Sequence, residues 1–565
     1  MRDEYEKMTA LPQLLTHISQ TRPNSSAFNY KENNEWKHIS TEVFVSHVVK
    51  FAQLLQNQGI QKGDAVGILS PSSPFWLMAD FAILMNGAVS VPFFINESEE
   101  HVRFKVKDAN LKGIFVLSDY EQKLNERFTK FIEPLIHSFS FIITKNISFP
   151  QSIEFESKGG DQLMKSYVGP HLLEDDSATI IYTSGSTGQP KGVELTHKNF
   201  MAQIQSITKL FSDLSPQDNV LSFLPIAHSF ERTLIYFYIS RGTSIYFCPD
   251  ITNIAQCLQE VEPTFMATVP RLLEKMHAKI IEKAQAKTWI KKKIAMWALK
   301  RALKKPKTFL TDLLVYKKIR TLFGKKLKYL ISGGSPLPLD MYRFFVNIGI
   351  PLYQGYGLTE ACPVITTNFI NRHKVGTVGP ALPDVEMKIS SNGEIFARGN
   401  NIMKGYHNLI DETKHAIDSN GWLHTGDTGT IDKDGFLTIT GRIKELCKTS
   451  GGKYVSPIPL EEKLKKNSLI DMAMIIADGR KFVSALLFID REKNNGALKN
   501  NLNHFIKKVN ATLNEWEQIR AWHIIFDTPT VENGELTPTL KLRRKVIIEE
   551  YHDIIEEMYT KKDNL

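Results

Sequence analysis

From Tyr182 to Gly192 the chain reads Tyr-Thr-Ser-Gly-Ser-Thr-Gly-Gln-Pro-Lys-Gly, a stretch with the chemical content of an anion cradle. Gly185 and Gly188 let backbone N–H groups turn toward a negative charge, and the hydroxyls of Thr183, Ser184, Ser186 and Thr187 add donors. Lys191 supplies a mobile positive charge. A phosphate chain suits this combination. No Gly-Lys-Ser/Thr tripeptide follows suitably spaced glycines, so the loop is not a Walker A loop. Nor does a Gly-x-Ser-x-Gly elbow mark Ser184 or Ser186 as a nucleophile. A flexible Gly/Ser turn is the bland alternative, and the order strand, loop, lysine, helix counts against it.

Such a loop needs a strand before it and a helix after it. Ala178 to Ile181 is strand-like, and Phe200, Ile204, Ile207 and Phe211 recur at helical spacing. The same grammar repeats elsewhere: strand Ala65 to Leu69, turn Ser70 to Pro74, a helix from Phe75, then strand Ala88 to Pro92. Val220 to Phe223, Ser229 to Ser240 and Thr243 to Cys248 form a second such unit, and Tyr329 to Ile331, Asp340 to Ile348 and Pro351 to Gln354 a third. Consecutive βαβ units predict an α/β fold with largely parallel sheets, whose ligands sit in crevices at the carboxyl ends of the strands. From Gly393 to Thr440 short alternating runs with Asn-Gly and Asp-Gly turns predict a small antiparallel β module. A mixed α+β segment rich in Lys and Glu follows, which divides the chain into a large domain, 1–441, and a small one, 442–565.

With 565 residues and 42% hydrophobic content the chain is too long for one core and too apolar for disorder. Cys248, Cys257, Cys362 and Cys447 are scattered without a Cys-x-x-Cys pair, which supports neither a disulfide framework nor a zinc site and fits a reducing cytoplasm. The start, MRDEYEKMTALPQLLTHISQ, lacks the apolar run of a signal peptide. Phe75 to Ile95 is apolar but broken by Asp80, Asn86, Gly87 and Pro92, so a buried helix and strand explain it better than a membrane span. The net charge of +9 is matched by nine cations between Lys287 and Lys307 with no acid among them. This segment offers a route to an anionic membrane surface, with a solvated helix as the alternative; at helical spacing its lysines and tryptophans separate poorly into faces. Nucleic-acid binding would rest on this segment alone, and no nucleic-acid partner is expected.

Around the Tyr182–Gly192 loop the sequence resembles the adenylate-forming superfamily, which includes acyl-CoA synthetases, nonribosomal adenylation domains and firefly luciferase. The resemblance runs over nearly the whole chain, with its motifs in order. It implies that Gly333, Gly334 and Ser335 line an adenine pocket, where small residues let a flat purine lie against the backbone. In Tyr353-Gln-Gly-Tyr-Gly-Leu-Thr-Glu360 it places Gln354, Gly355, Tyr356 and Gly357 beside the nucleotide. Within that stretch Tyr356 stacks, Thr359 donates to the α-phosphate, and Glu360 is a hard oxygen ligand for Mg²⁺, joined by Thr183. Asp427 and Arg442 would meet the ribose. Lys541, in Thr-Pro-Thr-Leu-Lys, looks like the catalytic lysine, although Leu540 stands where glycine is usual; long-chain acyl-CoA synthetases often share this departure. Lys444 looks like the hinge of a small mobile lid domain, with Lys448 and Gly451 approaching CoA. His228, in Leu-Pro-Ile-Ala-His-Ser-Phe-Glu-Arg, borders the acyl pocket by resemblance, and a structural histidine explains it nearly as well.

What the resemblance implies is an AMP-forming ligase that uses ATP, Mg²⁺ and CoA on a fatty acid of medium to very long chain, by way of an acyl-adenylate. Thr268-Val-Pro-Arg-Leu-Leu-Glu-Lys275 and the Thr-Pro-Thr-x-Lys motif point to fatty acids over acetate or amino acids. A ligase that keeps the adenylate or delivers it to acyl carrier protein, and a silent lipid- or nucleotide-binding scaffold, are the competing readings.

Overall fold

A computed structural model describes residues 5, 7–95, 97–116, 141–144, 164, 167–184, 190–443, 447–451, 453–493, 498–530, 533–536 and 542–560. The chain forms two compact units. One comprises residues 1–388, 396–425 and 431–438; the other comprises 389–395, 426–430 and 439–565.

Two large sheets build the first unit. The eight-stranded one has the spatial order Val364–Thr367, Leu352–Gly357, Tyr329–Ser332, Phe265–Thr268, Asn219–Ser222, Ser244–Phe247, Phe28–Glu32, Glu35–Ile39. Its inner strands are parallel, and an antiparallel strand closes each edge. The seven-stranded sheet runs Gly405–Tyr406, Pro190–Thr196, Ser177–Ser184, Val89–Phe93, Ala65–Leu69, Gly113–Val116, Phe141–Thr144, and only its first two pairings are antiparallel. These are the parallel sheets that the βαβ grammar predicts.

Two helices that are buried nearly all round lie in this core. Pro74–Met85 starts at Ser73, whose side chain accepts the Trp76 N–H, and Pro74 fits the first turn because no donor is needed there. Every residue of it except Phe75 is buried. Ser229–Arg241 is buried at every position except Phe230 and stops at Gly242, whose φ of 68° suits a residue without a side chain. Its Glu231 accepts from Ser222 of the eight-stranded sheet, while its Arg232 donates to Thr179 of the seven-stranded sheet. The helix therefore bonds to both sheets.

Arg232 and Asp80 are wholly inaccessible and pair with each other. Arg232 Nε donates to Tyr236 Oη at 2.9 Å and Nη1 to Thr179 Oγ1 at 2.8 Å; the Tyr236 hydroxyl donates to the other Asp80 oxygen. Buried charges are tolerated only when paired and hydrogen-bonded, and each of these is.

One local reading changes. The chain does not pass from the Tyr182–Gly192 loop straight into a helix; it returns as the strand Pro190–Thr196, antiparallel to Ser177–Ser184, and only then enters the helix His197–Leu210. Thr196 and Asn199 cap that helix reciprocally. The loop is thus a hairpin, and Lys191 lies on its returning strand.

A four-stranded sheet has the order Glu386–Ile389, Glu394–Arg398, Leu423–Ile431, Leu437–Arg442, with turns closed by Ser390 N–H to Glu394 O and Asp432 N–H to Phe436 O. In the C-terminal unit three strands, Met472–Ile476, Val483–Phe488 and Ile519–Ile525, carry the helices Pro457–Leu464 and Leu498–Asn510 over one core and His552–Thr560 over another. Arg544 donates to both oxygens of Glu461 at 2.6 and 2.7 Å, and the same carboxylate accepts the Ile475 N–H.

Replacing Arg232 by Met strands the Asp80 charge, which is expected to cost about 3–5 kcal/mol. Urea unfolding of the purified chain measures it, and a loss below about 1 kcal/mol would show that the pair is not the buried anchor described.

Candidate active site

Strand ends of the eight-stranded sheet converge on a partly open cleft. Leu352–Gly357 delivers Gly355, Tyr356 and Gly357 to it, and the turn after Tyr329–Ser332 delivers Gly333 and Gly334. Thr359 and His228 complete the polar rim. Ile207, Phe211, Leu234, Phe265, Ile331 and Leu382 form an apolar wall. The cleft thus joins seven of the residues singled out from sequence to an apolar lining that came from no motif.

Close approach explains the glycine at 357. A Cβ there would fall 1.8 Å from the carbonyl oxygen of Pro363, to which Leu358 N–H bonds at 2.9 Å. The chain then turns through Thr359–Ala361, and several elements hold this turn. Gln203 Nε2 and Asn401 Nδ2 donate to Ala361 O, Met403 N–H donates to Glu360 O at 2.9 Å, and Ser229 and Thr359 hydroxyls lie 3.3 Å apart.

Glu360 Oε1 accepts from the Tyr406 hydroxyl at 2.8 Å. Lys191 pairs with Glu412, and its ammonium lies 5.2 Å from the centre of the Tyr406 ring. Tyr406 therefore joins the hairpin lysine to the carboxylate of the turn. Neither Tyr406 nor Glu412 belongs to a motif recognised in the sequence, and a separation of 46 positions along the chain hides the contact of Glu360 with Tyr406. The returning strand is fixed further by Glu194, 2.6 Å from His407 Nδ1; that bond raises the His407 pKa and lowers that of Glu194.

His228 caps the buried helix, its Nδ1 accepting the Phe230 N–H at 3.3 Å, while also lining the cleft. The structural role expected of this histidine is thus present, at a position on the cleft. Ser335 is exposed and does not line the cleft; Gln354 is buried, its carbonyl accepting from Asn368. Thr183 Oγ1 approaches Lys191 O at 3.4 Å. Ser184 pairs with Pro190 at the mouth of the hairpin, whereas Gly185, Ser186, Thr187 and Gly188 lie outside the described residues.

The remaining candidates belong to the C-terminal unit. Asp427 Oδ1 and Arg442 Nε are 3.0 Å apart, which brings the two ribose candidates together. Gly451 is exposed, and among the described residues only the Thr449 hydroxyl lies within 4 Å of where a side chain would begin. Lys448 lies on the short strand Cys447–Lys448, its side chain outside the description, and Lys444 and Lys541 lie outside the described residues.

Among the described residues no group of three or more His, Cys, Asp or Glu side chains could hold a metal ion alone. Mg²⁺ is held by one or two carboxylates together with substrate phosphates, and a lone Glu360, oriented through one oxygen and with a second oxygen for the metal, fits that donor set.

Residues 15–407 match the AMP-binding enzyme family and residues 445–563 its AMP-binding enzyme C-terminal domain. The chain belongs to the AMP-binding enzyme family. It is 31% identical to the long-chain-fatty-acid–CoA ligase FadD15 of Mycobacterium bovis, over 93% of each chain. With the long-chain-fatty-acid–CoA ligase ACSBG1 of Rattus norvegicus it shares 29% identity over 95% of this chain and 84% of the other. In fold it resembles the o-succinylbenzoate CoA synthetase of Bacillus subtilis, solved with its acyl-adenylate intermediate, at a TM-score of 0.70 and 22% identity over 94% of this chain and 97% of that one.

Glu231, three residues beyond His228, went unnoticed in the sequence. Burial pushes its carboxyl up to about 8, partly offset by the Ser222 hydroxyl that donates to it at 2.6 Å. Above the ordinary carboxylate range the unfolded chain loses this proton while the folded chain keeps it, so stability falls as pH rises from about 5 to 8, by about 1.4 kcal/mol per unit. Glu231→Gln keeps an acceptor for Ser222 and removes that slope. Denaturant unfolding of both proteins across this range should show the variant gaining on the native chain as pH rises; a difference independent of pH would refute the assignment.

Proposed function

We propose that the chain is an AMP-forming fatty acid:CoA ligase, using ATP, Mg²⁺ and CoA, whose acid is of medium to very long chain. The observation that carries the reading is the cleft itself, in which Gly333, Gly334, Tyr356 and Thr359 stand at strand ends against a wall of Ile207, Phe211, Leu234, Phe265 and Leu382. A nucleotide suits the former and an alkyl chain the latter. The names borne by relatives near 30% identity over most of the chain support the same substrate class.

A carboxylate resists thiol attack because it is negatively charged and offers no good leaving group. In the reaction proposed, its oxygen attacks the α-phosphorus of ATP, the bond to the bridging oxygen breaks, and pyrophosphate departs. The thiol sulfur of CoA, losing its proton, then attacks the carbonyl of the mixed anhydride and AMP departs. Catalysis is positioning and charge stabilisation. Tyr356 stacks on the purine beside Gly333 and Gly334, with Gly355 and Gly357 shaping the pocket. Thr359 and the Thr183 to Gly188 hairpin bond the phosphates with Lys191, and His228 orients the acid. Glu360, with Thr183, would hold Mg²⁺, which supplies neutralising charge when bound. Asp427 and Arg442 hold the ribose, and Lys541 meets the charge developing at the α-phosphate. The small domain beyond residue 441 is proposed to turn about Lys444, withdrawing Lys541 and bringing Lys448 and Gly451 to CoA.

Product analysis with acids from acetate to very long chains, with and without CoA, tests this. AMP and pyrophosphate should form only with a fatty acid present, and thioester only when CoA is added. Lys541→Ala should slow acid-dependent pyrophosphate release by about 10²–10³-fold, as losses of comparable transition-state donors do, while sparing thioester formation from preformed acyl-adenylate. Pyrophosphate release by the variant at the native rate would overturn the role given to Lys541.

A further inference from the structure

The helix Trp289–Ala302 turns an unusual face outward. Ala295, Ala298, Leu299 and Ala302 are buried, so the side that packs on the core is mostly alanine. Ile290, Ile294 and Trp297, at i, i+4 and i+7, form a stripe on the outer side and are all exposed, as is Trp289. Lys293 and Lys300 fall beside that stripe at helical spacing, with the Lys293 ammonium 4.1 Å from the Trp289 ring centre.

The next segment repeats the pattern. Phe309, Leu310, Leu313 and Leu314 are exposed, Phe309 at 85%. It is fastened to the first helix by the Tyr316 hydroxyl, which donates to Ala298 O at 2.6 Å. Asp312, the single acid between Lys287 and Tyr316, is neutralised by Arg320, whose Nη2 donates to it at 2.9 Å. Eight large apolar side chains thus stand in solvent within a stretch that also carries nine unopposed cations.

We infer that this surface docks the protein on an anionic bilayer, the tryptophans and leucines entering the headgroup region and the lysines meeting lipid phosphates. Exposed lysines alone are satisfied by water, but clustered Trp, Ile, Phe and Leu are not. A second copy of the chain would set the same cations against one another, and a nucleic acid would leave the aliphatic residues without a partner. A bilayer surface answers both features, apolar area and positive charge. Among the described residues no helix is long and apolar enough to cross a membrane, and docking of this kind needs none.

The test uses the full chain and vesicles of phosphatidylcholine, with or without phosphatidylglycerol. Binding is read by co-sedimentation and by the tryptophan emission shift, and it needs no turnover, so its failure would leave the proposed ligase activity standing. Phosphatidylglycerol vesicles should bind the protein and neutral ones far less. Replacing Lys293, Lys300 and Lys304 by Gln should weaken binding on the order of a hundredfold. Trp297→Ser combined with Leu313→Ser should abolish the emission shift with no change in the unfolding midpoint, because both side chains are exposed. Equal binding to both vesicle types, native binding by either variant, or a patch that governs self-association in place of vesicle binding would overturn the inference.

Discussion

The paired charges of Arg232 and Asp80, shut away from water, organise the large unit. Asp80 sits in the middle of a helix otherwise made of apolar residues, and Arg232 on a second buried helix is held through it and through Thr179. Thr179 belongs to the strand Ser177–Ser184, which leads into the Tyr182–Gly192 hairpin. The same Arg232 helix begins at His228 and Ser229, on the rim of the cleft. One charge pair thereby fixes the distance between the hairpin strand and the cleft. The cost of burying two charges is met by four hydrogen bonds, shared with Tyr236 and Thr179, and by the rings of Trp76 and Phe200 lying 5.2 and 5.8 Å from the guanidinium.

A second constraint acts on the turn at Thr359. Its backbone is bound by side chains from the helix His197–Leu210 and by the segment from Asn401 to Met403, and its carboxylate is bound by Tyr406. Such multiple fastening is what preorganised catalysis requires, since a donor that must move into place loses part of what it contributes. The turn also owes its shape to Gly357, where nothing larger than hydrogen fits against Pro363.

Much of this was legible in the sequence because the signals were local. Apolar runs and glycine turns pointed to the parallel strands, and the family resemblance pointed to Gly333, Tyr356 and Thr359 at their ends. The hairpin return at Pro190–Thr196 was hidden because Pro190 and Gly192, residue types depleted in strands, stand in its seven-residue run beside a strong helix signal. Tyr406, Glu412 and the apolar wall were illegible for a different reason: each is defined by contacts across long separations that no spacing rule encodes. Alanine concealed the face of Trp289–Ala302, since a helix that buries alanine and exposes tryptophan inverts the usual hydrophobic signal.

In the function proposed, one cleft accepts an adenylate and an alkyl chain as a single ligand. Calorimetric titration with a sulfamate-linked, unreactive mimic of a long-chain acyl-adenylate tests that claim directly, set against titrations with AMP and with the free acid. Joint occupancy predicts binding at least about a thousandfold tighter than either fragment, as expected for a mimic of a bound intermediate. Affinity no greater than that of AMP alone would contradict it.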